Sequence, residues 1–305
     1  MIGGTPVKIQ FLIEATKTSG LGRVRRSAVL AQELAAMHAE VCCLQTTSPM
    51  AQPLLDLYNI PQVPAINPDS DIIIIDGSPE YQLSVMDHLP PAKLVVIDDI
   101  ANCRLQADVI INPNIYARQL DYSYLGYVKL LRGPNYHLLD PSFFASNHKK
   151  NTKVQRDIDI LITFGGSDTR EYIQAIAKAF DPYLDQVTIR IASPSPLQKS
   201  VCGNIPVLVG EDMQKLLLRS HLYLGGAGVT AMEALAADCQ LVLTRVAPDQ
   251  HMNSLSMRMQ GVDVCDIFDP DIMVSMAQDC LANPRDYDLT LMPTGLERTA
   301  KALLS

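Results

Sequence analysis

Short apolar runs alternate with longer amphipathic stretches along the first half of the chain. The runs predict strands at Val7–Ala15, Glu40–Leu44, Asp71–Asp76, Lys93–Asp98 and Asp108–Ile111. Two of them, DIIIID and KLVVID, show no alternation of polar and apolar positions. Such strands are covered on both faces, as in a parallel sheet with helices on either side. The amphipathic stretches predict helices at about Val24–Met37, Gln52–Leu57 and Glu80–Leu89. Strand and helix in strict alternation is the order of a doubly wound domain.

The rhythm breaks at LLRGPNYHLLDPSFFASNHKKNTKVQRD, where prolines and a glycine precede a polar run from Ser146 to Arg156. This predicts a domain boundary near residues 140–156, with an N-terminal domain of residues 1–145 and a C-terminal one of residues 146–305. Alternation then resumes, with strands expected at Ile158–Thr163, Gln186–Ile191, Ile205–Val209, His221–Leu224 and Gln240–Leu243. Helices are expected at Glu171–Phe180, Asp212–Arg219, Val229–Ala237 and His251–Met259, with a last one, Glu297–Leu304, expected to pack back on the first domain. The expectation is two Rossmann-like α/β domains facing a central cleft, with ligand at the carboxyl ends of the strands.

Composition narrows the partners. The chain has 305 residues, more than one core usually serves, with 48% hydrophobic and 19% charged residues. A formal net charge of −8, no Trp and 6% aromatics argue against a nucleic-acid partner. Seven cysteines, an odd number without C-x-x-C spacing, predict reduced buried thiols in a cytoplasmic protein rather than disulfides or zinc. No apolar run approaches the ~18 residues of a membrane span, so no transmembrane segment is expected. No metal-binding cluster and no cofactor is expected either.

Three glycine turns carry the candidate chemistry, each where a strand hands over to a helix. They are SGLGR (Ser19–Arg23), FGGSD (Phe164–Asp168) and GGAGVTAMEAL (Gly225–Leu235). Glycines there let a backbone approach phosphate closely, and helix starts offer free N–H groups. Each turn read alone is equally a structural punctuation mark. Arg23 and Arg26 share a face at a helix start, where positive charge opposes the dipole, so an anion is expected to answer them. In the third turn the N–H groups of Gly226, Ala227, Gly228 and Val229 suit a phosphate and Glu233 suits ribose hydroxyls. The other reading is a capping box between Thr230 and Glu233.

With these turns placed, several stretches resemble the GT-B-fold nucleotide-sugar enzymes. They are closest to the UDP-sugar hydrolase of the pseudaminic-acid pathway and its spore-coat-polysaccharide relatives, and more distant from the UDP-GlcNAc transferase that completes lipid II. SGLGRVRRSAVLAQEL is similar through Gly20, Gly22, Arg26, Leu30 and Ala31, and LVVIDDIANCRLQADVIINPN through Asp98, Asp99, Ala101, Asp108 and Asn112. LLRGPNYHLLDPSF, ILITFGGSD and GGAGVTAMEALAADCQLVLTRVAPDQHMN complete the match. The resemblance implies a UDP-sugar donor held mainly by the C-terminal domain. Gly165, Gly166, Ser167, Asp168, Gly225, Gly226, Thr230, Glu233, Gln250 and Asn253 would lie around nucleotide, diphosphate and sugar, and the sugar would face Gly20, Gly22 and Arg26.

Two departures separate the chain from the hydrolase. Arg23 stands where that family has a His expected to act as base, and arginine offers no lone pair. Asp76-Gly77-Ser78 stands where a D-x-Y would place an aromatic hydroxyl. Three functions follow as expectations. One is a glycosyltransferase of surface polysaccharide or glycoconjugate synthesis with an unknown acceptor, Arg23 as leaving-group clamp, and Asp98, Asp99 or Asp168 as base. The second is a hydrolase with another base, His251 before His221. The third is a catalytically silent nucleotide-sugar-binding partner.

Overall fold

A computed structural model of the chain describes residues 5–16, 21–46, 48–49, 51–144, 155–165, 169–247 and 250–305. It divides into two units, residues 1–140 with 292–305, and residues 141–291.

In the first unit seven parallel strands lie in the order β3-β2-β1-β4-β5-β6-β7. They are β1 (Lys8–Ile13), β2 (Glu40–Leu44), β3 (Gln62–Val63), β4 (Ile72–Asp76), β5 (Lys93–Ile97), β6 (Val109–Asn112) and β7 (Lys129–Arg132). Helices α1 (Gly22–Ala36), α2 (Gln52–Leu57) and α3 (Pro79–Met86) make the crossovers. The unbroken apolar strand β4 serves both faces: Ile72 and Ile74 join one buried cluster, Ile73 and Ile75 the other. That division is why the run shows no alternation in sequence. Each fully buried aliphatic side chain contributes about 1.5–3 kcal/mol.

In the second unit six parallel strands lie in the order β10-β9-β8-β11-β12-β13. They are β8 (Ile158–Thr163), β9 (Ile189–Ser193), β10 (Val207–Val209), β11 (Ser220–Gly226), β12 (Gln240–Thr244) and β13 (Asp263–Cys265). The helices are α4 (Arg170–Phe180), α5 (Lys199–Cys202), α6 (Met213–Leu218), α7 (Val229–Ala236), α8 (His251–Met259) and α9 (Pro270–Ala282). In both sheets the order reverses once, at β1/β4 and at β8/β11, and the crevice outside the strand ends at such a reversal is where open sheets hold ligands.

A last helix, α10 (Gly295–Leu304), belongs to the first unit. Leu296, Ala300 and Leu303 share a buried cluster with Leu30 and Leu34 of α1. Lys93 and Lys129 donate to the Leu303 and Ala302 carbonyls at 2.7 Å, placing positive charge at the helix carboxyl end.

Short and weakly patterned elements escaped the sequence reading: β3, β7, β13, α5 and α9. Helix α9 is the instructive one. Its first turn is fixed by Asp269, which accepts from the Asp271 and Ile272 N–H groups, and by Pro270. Its buried face of Met273, Val274, Ala277 and Cys280 uses soft, small residues that give little hydrophobic contrast. Strand β9 starts at Ile189, later than expected, because the Gln186 N–H is held in a turn by the Tyr183 carbonyl.

Candidate functional site

In the first unit the strand ends carry a cluster of charged side chains. Arg26, on α1, turns inward and is 7% exposed. Its guanidinium donates to both oxygens of Asp76 at 2.7 and 2.6 Å and to both oxygens of Asp99 at 2.7 and 2.9 Å. Asp76 ends β4 and is fully buried; Ser27 adds a hydrogen bond to it at 3.0 Å. Asn114 donates to Asp99 at 2.8 Å, and Asn112 at the end of β6 holds the Asp99 carbonyl at 3.1 Å. Arg23 bonds Glu14, which follows β1. Glu14 also accepts the Ser78 N–H at 2.8 Å and its hydroxyl at 3.1 Å, bridging the β1/β4 reversal.

These partners revise two expectations. The anions that answer Arg23 and Arg26 are Glu14, Asp76 and Asp99 of the chain itself, so the pair is not a vacant phosphate clamp. Asp98 is a loop-holding group: 3% exposed, it accepts from the backbone N–H groups of Ile100, Asn102 and Cys103. The adjacent carboxyls are driven apart. Burial raises Asp98 above the ordinary Asp value, against those N–H bonds, and the neighbouring Asp99 charge adds to the rise. Burial also works to raise Asp99, but the Arg26 charge and hydrogen bonds, Asn114 and Arg23 outweigh it and hold its carboxyl below the ordinary value. Asp99 is thus the carboxyl more strongly held in its charged form, with its side chain 34% exposed.

Ser78, where the hydrolase pattern has tyrosine, caps α3 by accepting the Tyr81 N–H at 3.2 Å. The Tyr81 ring folds back over Gly77, where a Cβ would sit 2.3 Å from the ring. Burial chiefly, with the nearby Cys43, Glu14 and Asp76 charges, pushes the Tyr81 hydroxyl well above its usual range. An aromatic hydroxyl therefore accompanies the cluster from one helical turn further on. The sequence signal for it was a glycine followed at i+4 by tyrosine.

The second unit holds the glycine turn between β11 and α7. Gly225 has no room for a side chain, since a Cβ would lie 1.9 Å from the Thr163 carbonyl oxygen of β8. Tyr223 donates towards that carbonyl and to the Gly226 carbonyl at 3.3 and 3.1 Å, pinning the turn from below. The Ala227 N–H is taken by the Thr244 carbonyl at 3.1 Å, which removes it from the expected phosphate donors. Gly228 is the N-cap of α7 and provides no side-chain cap. This excludes the Thr230–Glu233 capping box and leaves the first-turn N–H groups at Gly228, Val229 and Thr230, all half-buried, without intrahelical acceptors. Glu233 points inward at 2% exposure, and burial chiefly, with Glu233 nearby, raises the Tyr223 hydroxyl above its usual range.

Gln250, N-cap of α8, lies across this turn. Its Oε1 accepts the Val246 N–H at 3.1 Å, which directs the amide nitrogen outward. A Cβ on Gly228 would meet that Nε2 at 3.3 Å, and one on Gly226 would meet the same amide and Val246. Beside it, a cavity of about 580 Å³ is lined by Arg245, Val246, Ala247 and His251. Arg245 NH1 lies 2.8 Å from His251 Nδ1. A guanidinium only donates, so Nδ1 is the acceptor and Nε2 carries the ring proton. His251 thereby loses the lone pair that a water-activating base needs, which corrects its expected role. Arg245 was missed in sequence; its only signal is a cation directly after the apolar run QLVLT.

Of the remaining expected residues, Gly22 opens α1, Gly165 follows β8 with φ +90°, and Asn253 is half-buried on α8. His221 is exposed near the start of β11, at the end of the strand opposite the glycine turn. Gly20, Gly166, Ser167 and Asp168 lie outside the described residues. Among the described residues no group of three His, Cys, Asp or Glu is arranged to hold a metal, and no helix is long and apolar enough to cross a membrane.

No protein-family model matches the chain, and a search of curated proteins finds none that matches. Solved structures match over nearly its whole length. MurG of Acinetobacter baumannii is 15% identical with a TM-score of 0.59, covering 97% of this chain and 95% of that one. The UDP-GlcNAc 2-epimerase of Methanocaldococcus jannaschii, solved with UDP-GlcNAc and UDP, is 11% identical with a TM-score of 0.65, covering 98% and 99%. The spinosyn forosaminyltransferase SpnP is 12% identical with a TM-score of 0.62, covering 98% and 95%. The chain has the GT-B fold, built of two doubly wound parallel α/β domains.

Proposed function

We propose that the protein is a UDP-sugar-dependent glycosyltransferase of surface-polysaccharide or glycoconjugate synthesis. The carrying observation is the uncapped start of α7 at the β8/β11 reversal, where Gly226 and Gly228 bring Gln250 against the turn. N–H groups of Gly228, Val229 and Thr230 would bind the diphosphate, and Gln250 Nε2 would donate to it or to the sugar. Structural neighbours that bind UDP or transfer sugars support the donor class. In the first unit, Asp99 is a part-exposed carboxylate that the Arg26 charge holds below the ordinary carboxylate range.

The hydrolase expected from the sequence resemblance would need a base other than Arg23, which has no lone pair, and other than His251, whose Nδ1 faces Arg245. The test is UDP release from UDP-GlcNAc and related donors with and without lysate-derived acceptor glycans. Acceptor-dependent release is expected. Release without acceptor would assign a hydrolase, and the absence of any thermal shift with uridine nucleotides would overturn the nucleotide-sugar reading.

A further inference from the structure

We propose that Arg245 and His251 form the subsite for the distal phosphate of the donor, the one bonded to the sugar; this rests on the nucleotide-sugar reading above. Charge and position together point to the arginine. Among the described residues, Arg156, Arg219, Arg258 and Arg285 each meet a carboxylate, and Arg190 donates to the Ile189 carbonyl at 2.8 Å near the start of β9, at the strand ends opposite the glycine turn. Arg245 is exposed, and among the described residues its partner is an imidazole, not a carboxylate. In a chain of net charge −8, a cation left unanswered beside a cavity is placed to attract a negative ligand.

Position supplies the second argument. Arg245 directly follows β12, the neighbour of β11, and His251 opens α8. Gln250 lies between the α7 start and this pair, with its amide against Gly226 and Gly228 and its oxygen on the Val246 N–H. The donors thus form one row: the first-turn N–H groups of α7, Gln250 Nε2, then the guanidinium and His251 Nε2–H. A phosphate at the α7 start leaves the next phosphate of a diphosphate chain facing the Arg245–His251 pair. The fixed tautomer makes His251 a second donor there.

The chemical consequence is charge neutralisation at the leaving group. When the bond from the anomeric carbon to the distal phosphate oxygen breaks, its electron pair stays on that oxygen. The acceptor oxygen bonds to the carbon, and its proton passes to solvent. Arg245 then faces the oxygen on which the new charge appears, the position at which preorganised donors lower a barrier most.

Calorimetric affinities for uridine, UMP and UDP test the assignment without relying on turnover. Arg245→Gln should weaken UDP about 10- to 100-fold and change UMP less than about 3-fold, since a charge-assisted bond to a phosphate is lost only from the diphosphate. Arg245→Lys should recover part of the loss. His251→Gln, which keeps a donor near the Nε2 position, should bind UDP better than His251→Ala. The subsite is overturned if Arg245→Gln leaves the UDP-over-UMP gap intact, or if UMP weakens as much as UDP. Equal losses in both His251 variants would overturn its donor role. If the wild-type protein binds UDP but the variants match it, only the subsite fails. If the wild-type protein binds no uridine nucleotide, the nucleotide-sugar reading fails and the subsite with it.

Discussion

Replacing Arg26 with methionine keeps the aliphatic stem and deletes the guanidinium that holds two carboxylates. Asp76 is fully buried and would retain, among the described residues, the Ser27 hydroxyl and the more distant Arg23 guanidinium, whose Nε lies 4.0 Å away. Removing one member of a buried ion pair costs about 3–5 kcal/mol, mainly because the remaining charge is stranded. Against a domain stability of about 5–15 kcal/mol this is a large share. At about 2–4 °C per kcal/mol for a domain of this size, the first unit should melt about 6–20 °C lower. Urea unfolding followed by circular dichroism, with calorimetry to separate the two units, reads both quantities. Arg26→Met/Asp76→Asn removes the stranded charge as well, so its cost should fall short of the sum of the single costs by more than about 1 kcal/mol. A single-variant cost below about 1 kcal/mol, or strict additivity, would refute the charge-pair account.

The same pair sets an acid limb. Asp99 has a folded pKa below its unfolded value of about 3.9. Its contribution is therefore complete above that pH and is lost as pH falls towards the folded pKa. Arg26→Met should flatten the stability profile below about pH 4, and an unchanged slope would count against the Arg26–Asp99 coupling. Gly225→Ala should abolish soluble expression, because its Cβ would meet the Thr163 carbonyl at 1.9 Å. Gly165→Ala, with φ +90° but open space around it, should remain folded at a cost of about 1–2 kcal/mol measured in urea. Among the seven free thiols only Cys42 is part-exposed, and burial pushes Cys43 and Cys239 up to about 12. A thiol reagent should therefore titrate about one group quickly in the native protein and the rest only in denaturant; several fast groups would contradict this burial.

The sheets were legible because their signal is local. A run such as DIIIID states its own environment: apolar at every position, hence covered on both faces. The glycine turns were legible as places but not as sites, because what a glycine permits depends on what comes near it. Gly225 is required by the Thr163 carbonyl of a strand much earlier in the chain, and Gly226 and Gly228 by the later Gln250. Helix α9 was illegible for another reason. Its buried face is built of Met, Val, Ala and Cys, so its periodicity is shallow, and its clearest mark is the Asp269-Pro270 start.

Charge was the least legible property, and the three arginines explain why. In sequence, Arg23 and Arg26 form the densest basic cluster at a glycine turn, whereas Arg245 is an isolated cation after a strand. Folding reverses their standing. The partners of Arg26 lie 50 and 73 residues away, brought in by the parallel order β1-β4-β5, which sets Asp76 and Asp99 at adjoining strand ends. An arginine already bonded to carboxylates offers a ligand little net field, while one whose partner is an imidazole is not offset by an anion. A basic motif identifies an anion site only after the chain's own carboxylates have been assigned. By that criterion the arginine pair of the first unit is already engaged by carboxylates, and Arg245 is the cation we propose for the phosphate.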